Sequence, residues 1–107
     1  MGSVSLSRST QFALKTLGAM IQSSRKRRRM SQSNLAERLN ISRYTVIALE
    51  KGDPHVAIGA VFEAALIVGI PLLAEDQETF QRLEKTVTLF NSLLPKRIRE
   101  TKPDDNF

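Results

Sequence analysis

Between Ser31 and Gly52 the chain carries two short helical patterns with almost nothing between them, SQSNLAERLNISRYTVIALEKG. Ser31 can cap the first by accepting a hydrogen bond from a free backbone N–H, and Leu35, Ala36 and Leu39 then recur on one face. That helix is only about two turns long and stops at Asn40, where the chain must turn left-handed. Gly is the usual residue there and Asn its commonest substitute. Ser42 caps the following helix, Gly52 terminates it and Pro54 prevents its continuation. The tight LNIS turn fixes the angle at which the second helix is presented, so any fold of this chain is built around that pair.

The rest of the sequence reads as helix too. Leu14, Leu17, Gly18 and Ile21 fall at i, i+3, i+4 and i+7, the spacing of one buried face, and predict a first helix from about Thr10 to Arg28. A fourth runs from about Val56 to Val68, with Ile58, Val61, Phe62, Ala65 and Leu66 as a wide apolar arc, and reads as the central core helix. Asp76 can cap a fifth, which Pro95 stops and in which Phe80, Leu83, Val87, Phe90 and Leu94 alternate spacings of three and four. That stripe has two readings, simple core or a dimer interface. The expected organisation is all-α with five helices: a flexible N-terminus over 1–9, one domain over 10–94 and a charged flexible tail over 95–107.

Charge narrows the partners. The formal net charge is +5, and its distribution matters more than its size. Met1 to Ala36 holds no acid but contains Arg8, Lys15 and the run Arg25 to Arg29, whereas Pro54 to Gln81 holds four acids and no Lys or Arg. Such lopsidedness points to a polyanion, nucleic acid first and an anionic membrane surface second. Absence of cysteine excludes disulfides and thiolate catalysis, and the single His55 cannot build a metal site of ordinary ligand spacing. His55 reads as a structural residue beside a turn. Glu75, Asp76 and Glu78 read as acids meeting the positive end of a helix, not as a catalytic pair. No Gly-rich phosphate loop or nucleophile with a base is present, so no enzyme and no cofactor are expected. No apolar run reaches the roughly 18 residues of a membrane span, and the Arg-rich N-terminal third lacks the apolar core and cleavage site of a signal peptide, so a cytoplasmic protein is expected.

On a helical wheel, the helix after Ser42 turns Val46, Leu49 and Glu50 one way and Tyr44, Thr45, Ile47, Ala48 and Lys51 roughly the other. A helix anchored on one side with a mixed polar face on the other fits the major groove of DNA. Its predecessor would then cross the sugar-phosphate backbone and aim its N-terminus at a phosphate.

The stretch RKRRRMSQSNLAERLNISRYTVIALEKG resembles the Cro/cI or Xre family of helix-turn-helix repressors, over roughly residues 14 to 70. The resemblance implies the lambda repressor-like DNA-binding fold and assigns roles by position. Ser31 is a cap, and Gln32 takes the place of a glutamine that contacts phosphate and often a base edge. Ser42 caps the recognition helix, Arg43, Tyr44 and Thr45 occupy its base-reading first turn, Ala48 lies where it can meet a thymine methyl, and Lys51 matches a phosphate contact. Ile47 stands where the family is commonly polar. Arg25 and Glu50, each costly to bury alone, correspond to positions that the family pairs in a partly buried salt bridge. The rest of the basic run is either a solvated helix end or a set of phosphate contacts. Family members bind as symmetric dimers, with recognition helices roughly 34 Å apart.

The stretch KGDPHVAIGAVFEAALIVGI and the ending LPKRIRETKPDDNF are similar to HipB-type proteins, the Xre-family partners of HipA-like toxin kinases. That similarity implies an operator-binding homodimer that represses its own operon and engages a toxin of one or two chains. The alternative is a phage-type or housekeeping Xre regulator without a toxin. In the tail, the charged segment from Lys96 to Phe107 is expected to order against a partner, which acidic Asp104 and Asp105 and apolar Phe107 would allow.

Overall fold

The computed structural model describes residues 4–97. It consists of five helices, α1 Arg8–Arg27, α2 Gln32–Leu39, α3 Arg43–Glu50, α4 Ile58–Ile67 and α5 Gln77–Ser92, with no strand among the described residues. Contacts divide the chain into two units, Met1–Leu72 with the first four helices and Leu73–Phe107 with the fifth.

In the first unit α2 and α3 are eight residues each, too short to persist alone, so caps and packing must hold them. Both start on serine: Ser31 Oγ accepts the N–H of Asn34 at 3.0 Å, and Ser42 Oγ that of Thr45 at 3.1 Å. Asn34 returns the bond by accepting the Ser31 N–H at 3.1 Å, which completes a reciprocal capping box. α1 begins at Arg8, two residues earlier than the sequence reading, because Ser7 Oγ accepts the N–H of Thr10 at 3.2 Å.

Ile21, Leu35 and Val46, one from each of the first three helices, are fully buried at the centre. Ala36, Leu49, Ala64, Ala65 and Val68 complete the core, with Leu17, Leu39 and Val61 packed around it. Gly18 lets α1 approach the end of α3, since a Cβ there would stand 2.5 Å from the Glu50 carbonyl oxygen and 2.7 Å from that of Leu49.

All four helices of this unit end in the same way. A residue with positive φ follows the last turn, and the next N–H returns to the carbonyl five residues back. The left-handed residues are Arg29 (φ 58°), Asn40 (56°), Gly52 (82°) and Gly69 (84°). The closing bonds are Met30 to Arg25 at 3.1 Å, Ile41 to Ala36 at 3.0 Å, Asp53 to Ala48 at 3.0 Å and Ile70 to Ala65 at 2.8 Å. Met30, Ile41 and Ile70 then fold back onto the core.

α4 corrects the sequence reading. Ala65 and, half-buried, Val61 face the core as expected, joined by Ala64, whereas Ile58, Phe62 and Leu66, also expected there, are exposed. Small alanines allow α4 to lie close against its neighbours, and its larger apolar side chains are left on the outer face. The helix also starts at Ile58 rather than Val56, because the preceding segment turns on Asp53, whose Oδ1 accepts the His55 N–H at 2.8 Å.

In the second unit α5 is capped by Asp76, whose Oδ1 accepts the Thr79 N–H at 2.7 Å. An exposed Arg82–Glu78 pair at 2.7 Å braces its first turns. α5 buries none of its residues, so the reading of its apolar stripe as core is corrected. Phe80, Leu83 and Val87 line a shallow apolar groove with Leu73. The expectations for the tail beyond residue 97, with Asp104, Asp105 and Phe107, lie outside the described residues. Among the described residues no helix is long and apolar enough to cross a membrane.

The Asp76 cap has a pH signature. The Thr79 N–H holds its carboxyl below the ordinary aspartate range. A lowered folded-state value means that the cap contributes fully above about pH 4 and is lost as pH falls through the lowered value. Amide chemical shifts of α5 should show fraying at its start on acidification. In an Asp76→Asn variant, which caps without titrating, that fraying should be absent. Equal acid fraying in both proteins would contradict this role.

Candidate nucleic-acid interface

The C-terminal turns of α1, the start of α2 and the start of α3 meet around an open cleft of about 600 Å³. α1 supplies Gln22, Arg25 and Lys26, α2 with its cap supplies Ser31, Gln32 and Ser33, and α3 supplies Arg43. In α2 the Ser31 and Asn34 amides are satisfied by the capping box, which leaves those of Gln32 and Ser33 as first-turn donors without an intrahelical partner. Two exposed cations, Lys26 and Arg43, a helix N-terminus and side-chain amides around one concavity form a site suited to an anionic oxygen group.

A buried ionic network forms the floor. Arg25 Nε donates to Glu50 Oε2 at 2.6 Å and Nη2 to Oε1 at 3.1 Å, a two-pronged pair whose side chains are 6% and 2% exposed. Arg25 Nη1 also donates to the Met30 carbonyl at 2.8 Å, tying the end of α1 to the connection that leads into α2. Gln32 Nε2 donates to Glu50 Oε1 at 3.1 Å. Glu50 thus collects three donors from α1 and α2, and no buried side-chain N or O among the described residues lacks a partner. The half-buried Gln32 has one amide hydrogen committed inside the protein, which the sequence reading did not anticipate; the other, and its carbonyl oxygen, complete its hydrogen-bonding capacity.

Along α3, Val46, Leu49 and Glu50 are buried, while Arg43, Tyr44 and Lys51 stand in solvent. Tyr44 is 80% exposed. Thr45, Ile47 and Ala48 are half-buried on the flanks. The Ser42 hydroxyl is occupied as the helix cap and lies 2.9 Å from that of Thr45. Of the residues singled out in sequence, Ser31, Gln32, Arg43 and the Arg25 side chain meet at the cleft; Ser42, Tyr44, Thr45, Ala48 and Lys51 do not line it.

The basic run divides by geometry. Arg25 is buried and Lys26 lines the cleft, while Arg27 and Arg28 border a different depression with Ser24, Val68 and Gly69. Sequence reasoning missed Gln22 and Ser33 at the cleft, and Asn34 in the capping box. Only Asn34 had a legible signal, as an amide three residues after a capping serine.

Comparison with known protein families, with characterised proteins and with solved structures returns no match for this chain.

Proposed function

We propose that this protein is a sequence-specific DNA-binding repressor of the Cro/cI or Xre helix-turn-helix type. One observation carries the reading: α3 is fixed from beneath by Val46, Leu49 and the Glu50 network while Arg43, Tyr44 and Lys51 project from it, beside a cleft with Lys26 and the α2 N-terminus. In this reading α3 lies in the major groove and α2 meets a phosphate at its N-terminus. Arg43 and Tyr44 read bases, while Lys26, Lys51 and the free amide hydrogen of Gln32 hold the backbone, and Ser31, whose N–H and hydroxyl both donate to Asn34, positions the α2 N-terminus that meets it. Ser42 presents the first turn of α3, and Thr45 and Ala48 contribute its flanks.

The active form is a homodimer through α5. Phe80, Leu83, Val87 and Phe90 on that helix, and Leu94 just beyond its end at Ser92 rather than within it as expected, all remain exposed, between 38% and 61%, which is unfavourable unless covered. Replacing Val87 with Glu should shift the protein toward monomer in sedimentation and weaken binding to a palindromic site more than to a half-site. An unchanged dimer in this variant would rule out the α5 interface.

Similarity of residues 51–70 and of the chain end to HipB-type proteins supports the narrower reading, an antitoxin or autorepressor that partners a HipA-like kinase. Co-expression with any kinase-like product of the adjacent reading frame, followed by co-purification, tests that step; two proteins that elute separately would refute it.

The DNA reading itself is tested by substitution. Arg43→Ala and Tyr44→Ala should each weaken binding to the operator by roughly tenfold, with much smaller effects on random DNA. Equal losses on both DNAs would show that α3 does not read bases.

A further inference from the structure

Three of the four helix closures in the first unit use residues that tolerate a left-handed backbone, Gly52, Gly69 and Asn40, and the fourth uses Arg29. An L-residue with a long side chain is disfavoured there, and glycine would make the same closure without the steric cost. The conformation is over-determined by its surroundings. The Arg29 N–H bonds the Lys26 carbonyl at 2.9 Å, the Met30 N–H bonds the Arg25 carbonyl at 3.1 Å, and buried Arg25 grips the Met30 carbonyl at 2.8 Å. Strain maintained in this way marks a place where the side chain serves something other than the fold.

The position suggests what it serves. Arg29 is exposed and stands two residues before Ser31, so their Cα atoms are at most about 7 Å apart. A helical continuation would keep this residue on the ridge of α1. The left-handed turn instead takes it off that ridge, at the entrance to α2, whereas Arg27 and Arg28 border the depression beside Gly69.

We infer that Arg29 is retained in this strained position because its guanidinium contacts the phosphate backbone beside the α2 N-terminus, so that DNA affinity here is held at the expense of stability. The inference rests on the DNA-binding reading and adds a phosphate-contacting residue to it. It also predicts a signature that an ordinary surface arginine lacks, since removing the side chain should improve the fold while harming the binding.

The experiment uses the full chain and compares Arg29→Gly, Arg29→Ala and Arg29→Lys with wild type, by thermal unfolding and by titration with operator DNA over a salt series. Arg43→Ala is the binding control. Arg29→Gly should unfold roughly 4–8 °C above Arg29→Ala, which keeps the strained backbone without the charge, and above wild type as well. Glycine and alanine variants should lose equal affinity, roughly three- to tenfold, and the slope of log K against log salt should fall by about 1. Arg29→Lys should retain most of the affinity. If Arg29→Gly binds like wild type while Arg43→Ala is weakened, the inference is overturned and the DNA reading stands. A glycine variant no more stable than the alanine variant also overturns it, because no strain was then present. Failure of wild type itself to bind DNA removes both.

Discussion

Replacing Glu50 with alanine should destabilise the α1–α4 unit by about 3–5 kcal/mol, measured by urea or thermal unfolding. The carboxylate receives Arg25 Nε and Nη2 and the Gln32 amide, and its side chain is 2% exposed. Its removal leaves a guanidinium that is 6% exposed with only the Met30 carbonyl as a remaining partner, and an uncompensated buried charge costs far more than a lost surface pair. Small domains have stabilities of about 5–15 kcal/mol, so the variant should sit near its unfolding threshold. Removing both charges tests the mechanism rather than the position: Arg25→Met with Glu50→Leu should recover much of what Glu50→Ala loses. A loss of no more than about 1 kcal/mol, the range of an exposed ion pair, would show that this network does not support the fold.

The second large effect belongs to Gly18. A Cβ at this position meets the Glu50 and Leu49 carbonyl oxygens at 2.5 and 2.7 Å, and the Glu50 carbonyl carbon at 2.8 Å. These are backbone atoms in the last turn of α3 and cannot move aside as a flexible side chain would. Gly18→Val should therefore cost on the order of 3 kcal/mol through overpacking against those carbonyls. Gly18→Ala is the sharper case. Alanine is a better helix former than glycine by about 1 kcal/mol, so a net loss of stability in that variant can come only from the α1–α3 contact. If Gly18→Ala is as stable as wild type or more so, α1 does not approach α3 as closely as described.

The same two helices connect stability to function. Arg25 and Glu50 fix α3 relative to α1, Gln32 ties α2 to the same carboxylate, and the exposed side chains of α3 take their direction from that base. In the proposed reading, variants of the network should lose DNA affinity through misplaced contacts even where enough folded protein remains.

Local signals with a single chemical solution were readable in sequence. Ser31, Ser42 and Asp76 announced helix starts because each side chain has only the free N–H groups of a first turn to satisfy. Asn40 and Gly52 announced left-handed stops for the corresponding steric reason. The Arg25–Glu50 pair was legible because the stretch resembles a family that pairs these positions and because each charge would be costly to bury alone.

The misreadings have equally specific causes. α4 is apolar almost all round, so periodicity could not say which face turns inward, and only packing against neighbours selected Ala64 and Ala65 over Ile58, Phe62 and Leu66. The stripe on α5 reads identically as core or as interface until burial is known. The left-handed backbone of Arg29 was not legible at the end of the basic run, since no side-chain property of arginine signals that conformation as Gly or Asn does. At the cleft, Gln22 comes from α1, outside the recognition motif in sequence but adjacent to it in space, which spacing along the chain cannot express.

The most direct measurement titrates the purified protein with the DNA upstream of its own gene and with random DNA of equal length, at low and at physiological salt. Tight binding to the upstream DNA that survives random competitor at the higher salt is the predicted result, because base contacts from α3 persist when screening weakens phosphate contacts. Equal affinity for both DNAs, falling steeply and in parallel with salt, would contradict sequence reading by α3 and leave only a basic surface that attracts any polyanion.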